Sequence, residues 1–412
     1  MSDTIVALAT PPVAAALSLI RMTGPKSHQI INQLAPKFQL QKELQYRAIT
    51  FNHALIDDVV ISSWNKPHSY TGEDVVEISC HGNMLIVDQI IDACCQLGAR
   101  PAEPGEFTRK AFLNGKLDLT QAESVMDLIH AKSERALRAA KSFQQGAFGK
   151  KIETIREEIL QVLSQLEAYI DFPDEDIEPE TAESLSKRIE AVALKVSEYL
   201  ATAKTGKFLR HGASVVLVGA PNAGKSSLMN ALLEDDRVLV SDQPGTTRDA
   251  IEAEFILDGI SIRLTDTAGL RESDEELENL GMEHTQRALD DADLVLFLVD
   301  GSIPNLGTPD LSLDQSKIPT IHCLTKSDLP RVFTGDGFDI STKTGDGLEN
   351  LKQEIARRLK LDENNLLSES LAINSRHEFH LNTAKVSRSE LTISGGSLVS
   401  MFWCARSRLT FA

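Results

Sequence analysis

Residues Gly219-Ala220-Pro221-Asn222-Ala223-Gly224-Lys225-Ser226-Ser227 follow directly on the apolar run 215–218 and precede Leu228-Met229-Asn230-Ala231-Leu232-Leu233. The order is strand, glycine loop, helix, which is the setting that a G-x(4)-G-K-S phosphate loop requires. Gly219 and Gly224 let backbone N–H groups close around phosphates, Lys225 can reach β and γ oxygens, and Ser226 can offer its hydroxyl to Mg²⁺. A nucleoside triphosphate site is expected here.

Outward from this loop, the apolar runs 215–218, 260–265, 294–299 and 320–324 alternate with helical patterns, the last at 348–359. Strands spaced in this way predict a mostly parallel sheet covered by helices on both faces, an α/β nucleotide-binding domain over 212–370. Before it, residues 119–209 carry a helical period, with Ile152, Ile155, Ile159, Val162, Leu166 and Ile170 recurring every three or four positions. Six acids and two prolines in 171–180 should split this helical region into two arms. Nearer the N-terminus, β-rich runs at 4–9, 15–21, 46–55 and 75–79 mix with helical patterns at 27–34 and 83–97, an α+β signature. Residues 371–385 again look helical, and 386–412 show no clear period.

Composition bounds the class. A chain of 412 residues with 42% hydrophobic and 25% charged residues is a folded, multidomain protein. No apolar run approaches the roughly 18 residues of a membrane span and no secretory leader is visible, so a cytoplasmic location without membrane contact is expected. Cys80, Cys94, Cys95, Cys323 and Cys404 form no C-x-x-C pair and read mainly as buried thiols. A net charge of −18 excludes indiscriminate adhesion to nucleic acid. RNA contact would need a local basic surface. The stretch 100–156, with eleven Lys and Arg against seven acids, is the candidate, although solvated helix faces account for charges of this kind as well.

Two further motifs select the base. Asp266-Thr267-Ala268-Gly269 closes the run 260–265, placing Asp266 near Mg²⁺ and the Gly269 N–H near a γ-phosphate. Thr325-Lys326-Ser327-Asp328 closes the run 320–324 at the carboxyl edge of the sheet, where such folds bind ligands. Asp328 can accept from both N1–H and N2–H of guanine, an arrangement adenine does not satisfy. Thr325 stands where most such motifs have Asn. Ser341-Thr342-Lys343 fits a last loop with backbone N–H groups near the guanine O6. Between these motifs, Gly245-Thr246-Thr247-Arg248-Asp249 forms a candidate switch whose Thr247 can complete the Mg²⁺ shell. Leu270 occupies the place where Ras-like enzymes put a water-positioning Gln. Glu278, in the acidic stretch 271–278, is the candidate replacement, with an exposed acidic helix as the competing explanation.

At this point the residues match a family. Ala9-Thr10-Pro11-Pro12, Leu19-Ile20-Arg21, Ser69-Tyr70-Thr71-Gly72-Glu73-Asp74, His81-Gly82 and the run 104–119 (PGEFTRKAFLNGKLDL), taken with the nucleotide motifs, resemble the tRNA-modification GTPase MnmE (TrmE) family over about residues 1–385. The run 104–119 is the specific element, since nothing in a generic GTPase requires it. The resemblance implies an N-terminal dimerising, folate-binding-like α+β domain (1–117), a discontinuous helical domain (118–211 plus 371–385), and a Ras-like G domain (212–370) inserted into it. It also implies a homodimer that works with an FAD-dependent partner, MnmG, in a heterotetramer. Together they install an aminomethyl-type group at C5 of the wobble uridine (U34) of certain tRNAs.

By position, Arg21, Glu77 and Lys116 resemble the contacts to a 5-formyl- or methylene-tetrahydrofolate; the residues alone would read as ordinary surface charges. In these GTPases a bound K⁺ supplies transition-state charge that others take from an arginine finger, an effect of about 10³ to 10⁵ in rate. Asn222 matches its side-chain ligand, and Ser241, Gln243 and Thr246 fall where carbonyls would complete the shell. Hydrolysis is then expected to need K⁺ and a second G domain. The resemblance also favours Glu278 as the water-positioning residue. With Asn222, the GTP contacts it implies are Ala223, Gly224, Lys225, Ser226, Ser227, Ser241, Gln243, Gly245, Thr246, Thr247, Asp266, Thr267, Ala268, Gly269, Thr325, Lys326, Asp328, Ser341, Thr342 and Lys343.

Two departures stand out. Residues 13–18 (VAAALS) replace a glycine-rich stretch common in the family. The tail 386–412 does not reproduce the family's Cys-Ile-Gly-Lys ending, and Cys404 does not inherit that cysteine's role. A composition so unlike the preceding helix suggests a shifted reading frame or an otherwise altered sequence, which would strip partner helices from the helical domain and favour aggregation. Two readings therefore compete with the enzymatic one: a GTP-controlled RNA-binding or ribosome-assembly module, and a paralogue that hydrolyses GTP without modifying tRNA.

Overall fold

The structure, a computed structural model, describes residues 3–39, 43–171, 182–235, 252–266, 288–304, 318–333, 335–361 and 373–393. The chain divides into two compact units, Met1–Val125 and Met126–Ala412.

In the first unit the elements run β1 (Ile5–Leu8), β2 (Ala15–Thr23), α1 (Ser27–Leu34), β3 (Gln45–Phe51), β4 (Ala54–Trp64), β5 (Val75–Gly82), α2 (Met84–Gln96), β6 (Arg100–Pro101) and α3 (Glu106–Leu113). The sheet order is β3-β4-β5-β2-β1-β6. Strict alternation on β5 sends Val76, Ile78 and Cys80 into a core closed by Ile30, Ile31 and Leu34 of α1 and Val87, Ile90 and Cys94 of α2. Glu77, Ser79 and His81 therefore line the opposite face. The sequence run 46–55 is not one strand. It is the middle of a hairpin, turned at Asn52 (φ 52°) and His53 (φ 65°), and β4 continues to Trp64. Positive φ at both central residues is the geometry of a type I′ turn, and Asn-His hides the signal that Asn-Gly would give.

Helix α4 (Leu119–His130) spans the boundary, and the second unit continues with α5 (Glu134–Gln144), α6 (Ala147–Asp171), α7 (Ala182–Ala201) and α8 (Ala203–His211). Then come β7 (Ala213–Gly219), α9 (Lys225–Asp235), β8 (Glu252–Leu257), β9 (Ile260–Asp266), β10 (Leu294–Asp300), β11 (Thr320–Thr325), β12 (Phe338–Asp339), α10 (Leu348–Leu359) and α11 (Ser375–Ile393). The sheet order β12-β11-β10-β7-β9-β8 is parallel except for the edge strand β8, which pairs antiparallel with β9. The apolar runs expected as strands leave out β8 and its hairpin, because Glu252 and Glu254 interrupt the apolar pattern of EAEFIL, although the Asp258-Gly259 turn is itself a hairpin signal.

Both faces of β7 are buried. Val215 and Leu217 join the larger core with Leu228, Leu232 and Ile355, while Val216 and Val218 pack with Leu289, Val295 and Phe297 on the other face. That larger core is continuous with Ala136, Ala139, Phe143, Phe148 and Phe208 of the helices, so helices and sheet share one apolar interior. Helix α11 returns to this helical layer: His377 sits 4.7 Å from the Phe148 ring, and Arg210 Nη1 donates to Ile373 O at 3.0 Å. It runs on to Ile393, past the point near Lys385 where the family pattern was expected to stop.

Among the described residues Cys80, Cys94 and Cys323 are buried and unbridged, and burial pushes the Cys94 and Cys323 thiols up to about 12. No described helix is long and apolar enough to cross a membrane.

Candidate functional site

The sheet order reverses direction at β7, and the crevice beyond the carboxyl ends of its strands is where an open α/β sheet binds ligands. The phosphate loop lies there. Asn222 (φ 62°) and Gly224 (φ 92°) both take left-handed backbone to wrap the loop, and α9 starts at Lys225. A Cβ on Gly219 would meet Leu298 O at 2.5 Å, so the approach of β7 to β10 demands glycine. Lys225 is buried and donates to Gly219 O and Ala220 O, both at 2.8 Å, which folds its ammonium over the loop. Ser227 continues the first turn of α9.

Ser226 Oγ donates to Asp266 Oδ2 at 3.0 Å, joining the loop to the end of β9. A hydroxyl and a carboxylate in contact at a helix N-terminus form a hard-oxygen donor set of the kind Mg²⁺ takes.

The candidate base-reading motif, 325–328, is held by a different network. Thr325 is buried, and its hydroxyl lies 2.8 Å from Ala223 O and 3.2 Å from Val299 O, tying β11 to the phosphate loop. The departure from Asn at this position therefore keeps an anchor to the loop. Lys326 (φ 61°) reaches Asp300 Oδ2 at 2.5 Å. Burial opposes ionisation of Asp300, but hydrogen bonds from Lys326 and Ser302 outweigh it and hold the carboxyl below its usual range. Ser341, fully buried, donates to Asp328 Oδ1 at 2.9 Å and accepts from the N–H groups of Lys343 (3.3 Å) and Thr344 (3.2 Å). Its hydroxyl thus couples the Asp328 carboxylate to the loop carrying Thr342 and Lys343.

The expected contacts Ser241, Gln243, Gly245, Thr246, Thr247, Thr267, Ala268, Gly269 and Glu278 lie outside the described residues.

A second site is in the first unit. Trp64, His68, Ser69, Tyr70, Val75, Glu77 and Lys116 line a cavity of about 340 Å³ on the open side of the sheet. Arg21 of β2 and Glu77 of β5 are register partners, and Arg21 Nε donates to Glu77 Oε1 at 2.7 Å. The Arg21 guanidinium stands 5.5 Å from the Tyr70 ring and 5.8 Å from that of Phe107. Lys116 Nζ donates to Pro67 O at 3.2 Å, and its stem packs on Gly72, where a Cβ would lie 3.2 Å from Lys116 Cγ. The structure so brings Arg21, Glu77 and Lys116 to one place. Sequence reasoning missed Trp64 and His68, which fall on β4 and the loop after it; recognising the 46–64 hairpin would have put Trp64 beside Val75.

Part of the basic stretch 100–156 is paired with acids. Arg100 pairs with Asp3 and Glu106, Lys110 with Glu73, Lys132 with Glu254 and Arg156 with Glu153.

Comparison with known proteins places these sites in context. The model of the TrmE N-terminus (GTP-binding protein TrmE) matches residues 4–116, and that of the MnmE helical domain matches residues 119–396. A tRNA modification GTPase MnmE of Akkermansia muciniphila is 42% identical over 92% of this chain and 86% of its own length. Those of Lactiplantibacillus plantarum and Aquifex aeolicus are each 39% identical, over 93% of this chain and 87% and 88% of their own lengths. With two family models meeting at residues 116 and 119 and this identity along most of its length, the chain belongs to the MnmE (TrmE) family of tRNA modification GTPases.

Proposed function

We propose that this protein is a GTP hydrolase whose nucleotide cycle serves C5 aminomethyl-type modification of the wobble uridine of tRNA, in a homodimer working with the FAD-dependent partner MnmG. The observation that carries the nucleotide part is the convergence of Ser226 with Asp266 and of Asp328 with Ser341 at one sheet edge. Family membership carries the link to tRNA.

In this reading the phosphate loop binds the β- and γ-phosphates through its backbone N–H groups, and Lys225 exchanges its two carbonyl partners for phosphate oxygens. Ser226 and Thr247 would hold Mg²⁺, whose charge offsets that of the phosphates. Asp328, oriented by Ser341, accepts from guanine N1–H and N2–H. Asn222, with carbonyls of Ser241, Gln243 and Thr246, would hold K⁺, which supplies positive charge to the transferring phosphoryl group when bound. Glu278 would orient the attacking water.

In the first unit, Arg21, Glu77 and Lys116 would bind a 5-formyl- or methylene-tetrahydrofolate. The fit is chemical: Lys116 suits a carboxylate or pterin oxygen, Glu77 an amine, and Trp64 and Tyr70 offer faces to an aromatic ring. The G domain, 212–370, is read as an insertion between 118–211 and 371–385 of the helical domain, consistent with the packing of α11 on the helical layer.

The test is GTP hydrolysis in K⁺ against Na⁺, followed by wobble-uridine modification with the partner added. Equal rates in the two salts sink the ion mechanism, and K⁺-stimulated hydrolysis without modification sinks the tRNA assignment.

A further inference from the structure

The hairpin β8–β9 has its two ends in different chemical settings. At one end Asp266 accepts from Ser226 of the phosphate loop. At the other, the two-residue turn Asp258-Gly259, with φ of 49° and 73°, is gripped by the N-terminus of α5. Ser133, the N-cap of α5, donates to Gly259 O at 2.5 Å while accepting from Ala136 N at 3.1 Å. Arg135 Nη1 donates to Asp258 O at 3.1 Å and lies 3.3 Å from Leu361 O, just beyond α10. Arg135 is 5% exposed, and a Cβ on Gly259 would stand only 3.0 Å from its own Cβ. Lys132 adds an ion pair to Glu254 on β8 at 2.6 Å.

A packed strand is stiff along its length, and β9 spans roughly 20 Å from the turn to Asp266 at about 3.3 Å per residue. Displacing the hairpin along its axis by one residue would move both turn carbonyls by a similar step. That step exceeds the tolerance of a hydrogen bond, so the grip on the turn must break or α5 must follow. A buried guanidinium and a half-buried hydroxyl on adjacent carbonyls therefore convert a continuous displacement into two discrete arrangements, the kind of two-state element through which distant sites are coupled.

We propose that Ser133 and Arg135 form a clamp that couples nucleotide occupancy at the Ser226–Asp266 end of β9 to helix α5, with Arg135 as a positioning residue for the GTPase cycle. The inference rests on the GTPase reading for its ligand. The clamp makes α5, which lies in the helical layer beside α6 and α8, the recipient of the nucleotide state. By linkage, any effect of nucleotide on the clamp must return as an effect of the clamp on nucleotide affinity.

The experiment uses the full chain with Mg²⁺ and either GDP or a non-hydrolysable GTP analogue. Nucleotide affinity is measured by titration, and amide hydrogen exchange is followed at residues 258–260 and 134–138. In the unsubstituted chain the two nucleotides should give protection at both segments that differs at least threefold. In Arg135→Met the difference at 134–138 should vanish, and the ratio of the two dissociation constants should shift at least threefold. Ser133→Ala is read in parallel and should reduce the same difference, which keeps the test decisive if the first variant does not fold. Exchange at 134–138 that ignores the nucleotide, or that responds equally in a folded variant, overturns the clamp. Absence of nucleotide binding by the unsubstituted chain overturns the GTPase reading together with it.

Discussion

The Ser341 hydroxyl donates to Asp328 Oδ1 at 2.9 Å, linking two loops that leave neighbouring strands of the sheet. Ser341 is fully buried, so its hydroxyl has no water to fall back on and fixes the plane of the carboxylate proposed to read the base. Ser341→Ala removes a hydrogen bond to a charged group, an interaction of about 1.5–3 kcal/mol. GDP affinity should fall roughly tenfold or more by calorimetry, with preference for guanine over inosine reduced.

Thr325 offers a second test, of the loop rather than the base. Its hydroxyl lies between Ala223 O and Val299 O, and Thr325→Val keeps the shape while withdrawing the donor. A buried carbonyl left without its partner costs about 1–3 kcal/mol. The melting temperature should drop by several degrees and nucleotide affinity should weaken, whereas an unchanged melting curve would contradict the anchoring role.

In the first unit, Glu77→Gln leaves Arg21 without its carboxylate, and Lys116→Ala removes the ammonium at the rim of the cavity. Each should lower the affinity for a reduced folate at least tenfold in a fluorescence titration. GTP hydrolysis measured without folate should stay within twofold of the unsubstituted rate, because no atom of the nucleotide site is touched.

Acid stability has a defined contributor on α10. Hydrogen bonds from Arg357 and then Arg358 hold the Glu354 carboxyl down at about 2, against an ordinary value of 4.5, although burial opposes ionisation. The folded value is the lower one, so this group stabilises the fold above pH 4.5 and loses that contribution as pH falls from 4.5 towards 2. Denaturation of Glu354→Gln should show a deficit at pH 7 that shrinks by pH 3. A deficit independent of pH would mean the side chain acts by packing alone.

Much of the fold is legible in the sequence because parallel strands buried on both faces write continuous apolar runs, as at Val215–Val218 and in β10. The helices of the second unit are equally plain from their period. What the pattern hides is the antiparallel edge: β8, and the turn that makes 46–64 two strands. Half-buried strands carry a weaker signal, and Asn52-His53 does not announce positive φ, whereas Asp258-Gly259 is a strong hairpin signal that a reading of apolar runs alone passes over. The proposed nucleotide residues were readable because phosphate and guanine recognition would need fixed residue types at fixed spacing. Trp64 and His68 were not, since cavity walls need only shape and come from elements distant in sequence.

The proposed nucleotide chemistry is legible from spacing alone, because the roles assigned to Gly224, Lys225, Ser226 and Asp328 are local. The partners of the candidate groups emerge only on folding: Ser341 on Asp328, Thr325 on Ala223, Glu77 on Arg21, and Arg135 on the hairpin turn. These partners lie far apart along the chain and meet through sheet order and register. Hydrogen bonds are short and directional, so such pairings exist only once the packed core has fixed the strands relative to one another.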